Sequence, residues 1–241
     1  MLFDFWDTLI FHERGESQRL KRIRVEGLTE ALIKGGFSAS PRKVEEVMEE
    51  VDMECDRIRV EKGREFDLNT QVHMMMEKLG IPTSNKRLAQ NLWDVYAHSV
   101  LSVQLRAQEG AESILRFLKE GGYKVGLICN TYHTPSSVIK KILRKFGFLH
   151  HFDDVLMFSD EYGLLKPRPE IFLEALLRMG VEPSEALHVG DKPELDILGA
   201  KNAGLRAIHL KITDQPYPNN LPKPDATIQA LDHIPETLRK L

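Results

Sequence analysis

Apolar residues recur at spacings of three and four positions between residues 14 and 102, with almost no strand-like alternation of apolar and polar positions. This spacing is typical of amphipathic helices. Ser40 followed by Pro41 is typical of a helix start, and Gly35 and Gly80 are typical of helix ends. We expect four helices, near residues 22–34, from residue 41 onward, near 69–79 and near 85–101. The segment is therefore predicted to be all helical.

Short apolar runs alternate with helical patterns after residue 105, which indicates strands joined by helices. The predicted strands are residues 124–129, 154–158, 186–190, 206–210 and 226–228, the last of them after a proline-rich loop at 213–225. Helices of this length between strands imply a parallel sheet with right-handed crossovers.

The apolar residues before Asp4 form a further predicted strand, whose natural place is beside the strand at 124–129. The helical segment is then an insertion at the carboxyl edge of the sheet, where open α/β sheets bind ligands. We expect an α/β fold: a Rossmann-like parallel sheet core formed by residues 1–13 and 103–241, with an inserted all-helical cap domain at 14–102 that covers the site as a lid.

Composition excludes several classes of function. The 33 basic and 36 acidic residues give a net charge of -3, which provides no field to attract nucleic acid. The two cysteines, Cys55 and Cys129, are not expected to pair, and no apolar run is long enough to span a membrane. A cytoplasmic protein is expected. The first strand begins almost at Met1, so either this strand is short or the natural chain starts upstream.

Four groups of chemically useful residues follow predicted strands at their carboxyl ends. They are Asp4 with Thr8, the run Cys129, Asn130 and Thr131, Lys166 within GLLKPRPEIF, and Asp191 with Asp196 within HVGDKPELD. The carboxyl ends of parallel strands meet at one edge of the sheet, so these groups are expected to form one site. An aspartate at a single strand end would mean little, but this order of groups is specific.

In these motifs the chain resembles the haloacid dehalogenase (HAD) superfamily of hydrolases, with a helical cap of the C1 type. The resemblance implies a phosphohydrolase acting on a small phosphorylated metabolite, with Asp4 as the nucleophile that forms an aspartyl-phosphate. It also implies Mg²⁺, bound by the carboxylates of Asp4 and Asp191 and the backbone carbonyl of Trp6. Lys166 is expected to screen the nucleophile from the phosphate, and Asp196 to hold Lys166 or the waters of the metal.

The substrate-binding residues implied by the resemblance are Trp6, Thr8, Cys129, Asn130, Thr131 and Lys166. Two of them depart from the family pattern. Cys129 replaces a serine or threonine, so phosphate binding is expected to rest more on backbone N–H groups, Asn130 and Thr131. Trp6 replaces a second aspartate that transfers protons, a contribution of roughly 10² to 10⁴ in rate.

An indole cannot transfer protons near neutral pH, so another group is needed or turnover is low. Asp7, His12, Glu13 and His133 are candidates, although we expect Asp7 to stabilise the turn. Two other functions stay open: a metal-independent 2-haloacid dehalogenase, because those enzymes also lack the second acid, and a low-turnover protein that binds a phosphate ligand. The paired acids Asp191 and Asp196 favour the phosphatase.

A basic cluster lies in the predicted cap, around Gly63, and consists of Arg57, Arg59, Lys62 and Arg64. We place it in a loop between two helices, either solvated or in contact with an anionic substrate. The expected partners are a small phosphorylated substrate and, at most, a second copy of the chain, as a monomer or homodimer.

Overall fold

The computed structural model describes residues 1–152 and 155–241. The chain divides into two compact units. The first, called here the core unit, comprises Met1–Phe11, Leu105–Asn130 and Lys140–Leu241, and the second, called the helical unit, comprises His12–Gln104 and Thr131–Ile139. The predicted cap at 14–102 lies within the helical unit, to which packing adds residues 131–139. That a lid covers the site stays a prediction.

The core unit is built on a six-stranded sheet. The eight strands of the chain are β1 (Leu2–Phe3), β2 (Ile10–His12), β3 (Leu105–Ala107), β4 (Gly126–Cys129), β5 (Leu156–Phe158), β6 (Leu187–Gly190), β7 (Arg206–Leu210) and β8 (Ala226–Ile228). The sheet has the order β5-β4-β1-β6-β7-β8, and its neighbouring strands are parallel. Leu2 pairs with Gly126 on one side and with His188 on the other. The predicted α/β fold with a parallel sheet is confirmed.

Strands β2 and β3 form a separate two-stranded sheet that the sequence pattern did not predict. Each has only three residues, and neither strand alternates between buried and exposed positions. The predicted strand at 154–158 is observed from Leu156, and Asp154 lies outside the described residues.

Ten α-helices accompany the strands in the described part of the chain. They are α1 (Glu16–Lys34), α2 (Pro41–Lys62), α3 (Leu68–Lys78), α4 (Lys86–His98), α5 (Ala111–Glu120), α6 (Ser136–Lys145), α7 (Ser159–Tyr162), α8 (Pro169–Met179), α9 (Leu198–Asn202) and α10 (Ile234–Leu238). A π-helical turn, Pro193–Ile197, precedes α9. Among the described residues, no helix has both the length and the apolar character needed to cross a bilayer.

The sheet is covered by the apolar face of α8. Ile171, Phe172 and Ala175 are fully buried and belong to one hydrophobic cluster with Ile128 and Met157 of the strands. Their spacing along α8 places them on one side of the helix, as the sequence pattern predicted. This packing holds α8 against β4 and β5.

The helical unit contains the four predicted helices. Helix α1 packs against α2 and α4, and α3 packs against the same two helices. Ser40 caps α2 by accepting a hydrogen bond from the backbone N–H of Lys43, 3.3 Å away. The buried face of α2 consists of Val44, Val47, Met48, Val51, Cys55 and Arg59. Cys55 and Cys129 are both free, as expected.

The interpretation of the basic cluster as a loop was wrong. Helix α2 continues to Lys62, so only Arg64 follows it. Arg59 is buried and pairs with two acids, its Nε lying 2.8 Å from Glu65 and its Nη1 lying 2.6 Å from Asp56. The reversal of the chain at Gly63, with φ 59°, brings Glu65 back onto Arg59. This charged group therefore stabilises the helical unit from within.

Candidate active site

The loop after β1 presents a carboxylate at the carboxyl edge of the sheet. Asp4 donates its backbone N–H to Val189 of the neighbouring strand β6, 2.9 Å away. The loop then closes on itself, because Leu9 and Ile10 donate backbone N–H groups to the carbonyl of Phe5 at 2.9 and 3.1 Å. Asp4 is 7% exposed, so its carboxylate is held in a largely water-excluded position.

The loop requires a left-handed residue, and Asp7 supplies it with φ 61°. Aspartate tolerates this region better than most side chains do. Gln108, which the sequence did not single out, secures the turn by donating its side-chain amide to the carbonyl of Asp7 at 2.8 Å and its backbone N–H to Leu9 at 2.9 Å. These contacts agree with the expectation that Asp7 serves the turn.

Lys166 lies between two carboxylates. Its ammonium is 2.5 Å from Asp4 Oδ1 and 2.7 Å from Asp196 Oδ1, and only 2% of the residue is exposed. Thr8 donates its hydroxyl to the other oxygen of Asp4 at 3.2 Å. Burial lowers the pKa of Lys166, but Asp196 and Asp4 more than offset it and leave the pKa raised. Lys166 is therefore a permanent cation against Asp4.

Asp196 is the anchor of this arrangement. Besides Lys166 it faces His188 Nε2, 2.8 Å from Oδ1, and its Oδ2 accepts the backbone N–H of Lys192 at 3.0 Å. Burial alone raises the pKa of Asp196, but Lys166 and the hydrogen bond with His188 outweigh it and hold the pKa below its usual range. An ionised Asp196 keeps Lys166 in place.

His188 was not singled out from the sequence. His188 is a fully buried residue of β6, and Gly190 allows the Asp196 side chain to approach, since a Cβ there would lie 2.2 Å from Asp196 Cγ. The signal available was the unusual histidine inside a buried strand. The partner of His188 is Asp196, eight residues away across the π-helical turn. The periodicity of the sequence does not reveal such a contact.

Asn130 is directed at the backbone of Lys166. Its side-chain nitrogen donates to the carbonyl of Lys166 at 2.9 Å, and its oxygen accepts the backbone N–H of Lys166 at 2.8 Å. This paired contact positions the lysine. The preceding Cys129 is buried at the end of β4, with its thiol 3.5 Å from the carbonyl of Asn130. A role for either side chain in binding substrate stays a prediction.

Asp191 completes an acidic group with Asp4 and Asp196. One carboxylate oxygen of each lies within 4.8 Å of the others, and all three residues are buried. Burial and the charge of Asp196 raise the pKa of Asp191 to about 6. Burial raises the pKa of Asp4 to about 7, with Lys166 opposing and the two other acids adding to the shift. Such crowding of carboxylates fits a group that holds a cation.

The remaining predicted residues are placed less directly. Trp6 is half-buried and packs edge-on against Phe5, with ring centroids 4.7 Å apart. Thr131 and His133 belong to the helical unit. His133 Nδ1 lies 3.1 Å from Gln71 Oε1, and burial, with Arg24 and Arg59, lowers its pKa to about 3. A histidine in this state is a poor proton carrier near neutral pH.

Comparison with known proteins identifies the family of this chain. The family model of haloacid dehalogenase-like hydrolases matches residues 1–204. The chain belongs to this family. It is therefore a hydrolase of the HAD superfamily, and the resemblance read from its motifs is confirmed.

Relatives and solved structures of the HAD superfamily cover nearly the whole chain. A glyceraldehyde 3-phosphate phosphatase of Methanopyrus kandleri is 28% identical over 100% of this chain and 97% of its own. That of Methanothermobacter thermautotrophicus is 31% identical over 86% of this chain and 83% of its own. The crystal structure of a 2-haloacid dehalogenase from Pseudomonas syringae has the same fold, with a TM-score of 0.72, 24% identity and coverage of 99% and 97%.

Proposed function

We propose that this HAD hydrolase is a Mg²⁺-dependent phosphatase of small phosphorylated metabolites that works through an aspartyl-phosphate at Asp4. The observation that carries the proposal is the buried Lys166 ammonium, 2.5 Å from Asp4 in a group of three carboxylates. A phosphate dianion next to Asp4 is repelled unless cations lie beside both. The phosphatase names of relatives that are 28% and 31% identical support the same reaction.

The reaction divides into two displacements. An oxygen of Asp4 attacks phosphorus as the bond between phosphorus and the leaving oxygen breaks, and the leaving alcohol or acid takes up a proton. Water then attacks the aspartyl-phosphate, loses a proton, and releases phosphate with the Asp4 carboxylate restored. Lys166 neutralises charge between nucleophile and phosphate in both steps, and Asp196, Asn130 and His188 keep it aligned.

The acidic group suits Mg²⁺, because that ion prefers carboxylate and carbonyl oxygens. Asp4, Asp191 and the backbone carbonyl of Trp6 would hold it, and a carbonyl ligand does not depend on the indole at that position. When bound, the ion supplies positive charge that lowers the pKa of Asp4 and Asp191 and keeps both ionised. Asp196 is already engaged by Lys166 and His188, so its role is positioning.

Trp6 limits this chemistry at the proton-transfer steps. An indole offers an N–H donor and no exchangeable acid near neutral pH. Substrates whose leaving group needs no protonation, such as acyl phosphates, are therefore expected to react faster than alkyl phosphates. The natural substrate is proposed to be a small metabolite, like the substrate named for the archaeal relatives.

The test is hydrolysis of acetyl phosphate and p-nitrophenyl phosphate with Mg²⁺, comparing the natural chain with Asp4→Asn. We expect the variant to lose at least a thousandfold in rate, because the nucleophile is removed. Asp214→Asn, at an exposed position, is the matched control and keeps full activity. Rates that stay at background for a folded natural protein would favour a phosphate-binding protein without turnover.

The indole at position 6 is the one observation that favours a 2-haloacid dehalogenase. Chloride release from 2-chloropropionate in EDTA tests it. The buried group of Asp4, Asp191 and Asp196 argues against this function, since three crowded carboxylates repel the carboxylate of such a substrate unless a cation is present. We expect chloride release at background level.

A further inference from the structure

A cavity lies wholly within the helical unit, among α1, α2 and α4. It has a volume of about 260 Å³, and its lining includes Arg24, Asp52 and Tyr96. Sites for drug-sized ligands have volumes of about 300–1,000 Å³, so this one suits a smaller metabolite. Asp4, Lys166, Asp191 and Asp196 do not line it, whereas His12, a candidate for proton transfer, does.

Arg24 is buried in the wall of this cavity and has no ion-pair partner among residues 1–152 and 155–241. It is 8% exposed, donates from Nε to Ser99 Oγ at 3.0 Å, and lies over the ring of Tyr96 with Cζ 4.4 Å from the ring centre. In the described part of the chain no carboxylate forms an ion pair with it. A buried guanidinium in this state retains donors suited to a carboxylate or phosphate.

The other charged residues around the cavity have different surroundings. Lys21 is neutralised by Glu45 and Glu49, both 2.7 Å away. Asp52 interacts with Arg24 electrostatically but does not touch it, and it lies 3.7 Å from His133 Nδ1. The cavity thus has one cation and one anion in its wall that are not in contact with each other.

We propose that this cavity binds a small metabolite that carries an oxyanion and a hydroxyl or ammonium group, with Arg24 holding the oxyanion and Asp52 holding the donor. Tyr96 positions Arg24 through its ring, and Ser99 does so through the hydrogen bond to Nε. The separation of the two charges explains why a ligand with only one of these groups would leave the other unsatisfied.

Direct binding measurements test the site independently of turnover. D-glycerate and L-serine are titrated calorimetrically into the natural chain, Arg24→Gln, Asp52→Asn and Asp4→Asn, with glycerol as the neutral probe. We expect both acids to bind, Arg24→Gln to weaken both at least tenfold, and Asp4→Asn to change neither. Asp52→Asn should weaken L-serine more than D-glycerate, because an ammonium loses more than a hydroxyl does.

Absence of binding by both acids to the natural chain would overturn the proposal, as would unchanged binding in Arg24→Gln. Circular dichroism establishes whether Arg24→Gln folds. If it does not, the result for Asp52→Asn decides, since equal affinity for L-serine in that variant and the natural chain contradicts the assigned donor site.

Discussion

The resemblance to the HAD motifs implies that Trp6 occupies the position of a second, proton-transferring aspartate. Replacing it with aspartate places a carboxylate where proton transfer is needed. We expect Trp6→Asp to raise turnover of alkyl phosphates about 10²-fold, with a smaller gain for acetyl phosphate, whose leaving group needs no proton. Steady-state rates on both substrates measure the difference.

Trp6→Asn is the matched control, since it removes the indole and has the shape of aspartate without its acid. A gain shared equally by the two variants would show that the bulk of the indole limits turnover. No gain in Trp6→Asp, with good activity in the natural chain, would mean that another residue already transfers the proton.

His133 makes the helical unit sensitive to acid. Its pKa is lowered to about 3 by burial and by Arg24 and Arg59, against 6.5 for an unperturbed histidine. The folded state therefore favours the neutral ring. The stability that this preference contributes is fully present above pH 6.5 and is lost as pH falls toward 3. Between pH 7.5 and 5 this loss is about 2 kcal/mol.

We expect chemical denaturation of His133→Gln to show a shallower loss of stability over that pH range than the natural chain. His73→Gln, at an exposed position of α3, should follow the natural chain. Parallel pH profiles for His133→Gln and the natural chain would contradict the assignment. Asp52, 3.7 Å from His133, also titrates nearby, so both profiles are repeated in the Asp52→Asn background to remove its contribution.

The helical unit is held together at the end of α2 by a buried ion pair. Arg59 and Glu65 have side chains only 4% and 1% exposed, and Arg59 also lies over the ring of Tyr132, 4.6 Å from its centre. Removing one partner leaves the other charge buried and unpaired, which costs about 3–5 kcal/mol. We expect Arg59→Met to lower the free energy of unfolding by this amount.

Arg57→Met is the matched control for this pair. Arg57 lies on the same helix and pairs with Glu61 at 3.5 Å, but both side chains are more than half exposed. Exposed pairs contribute about 0–1 kcal/mol, so this variant should be nearly neutral in urea unfolding. Equal losses in the two variants would show that burial of Arg59 is not the cause.

Helices and strands were predictable from sequence where a buried apolar run lies next to turn residues. The strands at 206–210 and 226–228 were placed correctly, because each is a short apolar run next to turn residues. The extension of α2 was missed because Arg57, Arg59 and Lys62 are typical of a solvated segment. Pairing of Arg59 with Glu65 depends on the reversal at Gly63, and residue spacing does not show such a contact.

The candidate site was predictable at the level of the whole molecule because parallel strands end at a common edge. Asp4, Lys166 and the pair Asp191 and Asp196 come from three separate segments, and the structure brings their charged groups together. Contacts that align them were not predictable. Asn130 on the backbone of Lys166 and His188 on Asp196 are contacts between residues 36 and 8 positions apart, which residue spacing does not show.

Metal binding should be visible in the stability of the molecule as a whole. Asp191 has its pKa raised to about 6 by burial and Asp196, so above that pH its charge destabilises the folded state. In EDTA at pH 8, Asp191→Asn is expected to be more stable than the natural chain. Mg²⁺ at a thousandfold excess over its Kd stabilises the natural chain by about 4.1 kcal/mol, and the variant by less.

The order of melting temperatures should therefore reverse on addition of Mg²⁺, with Asp191→Asn higher in EDTA and the natural chain higher with the ion. Asp214→Asn should follow the natural chain in both conditions. A general effect of salt or of surface charge shifts all three proteins together, so only a specific site reverses the order. Unchanged order would show that Asp191 does not hold the ion, and the proposed ligand set would then be wrong.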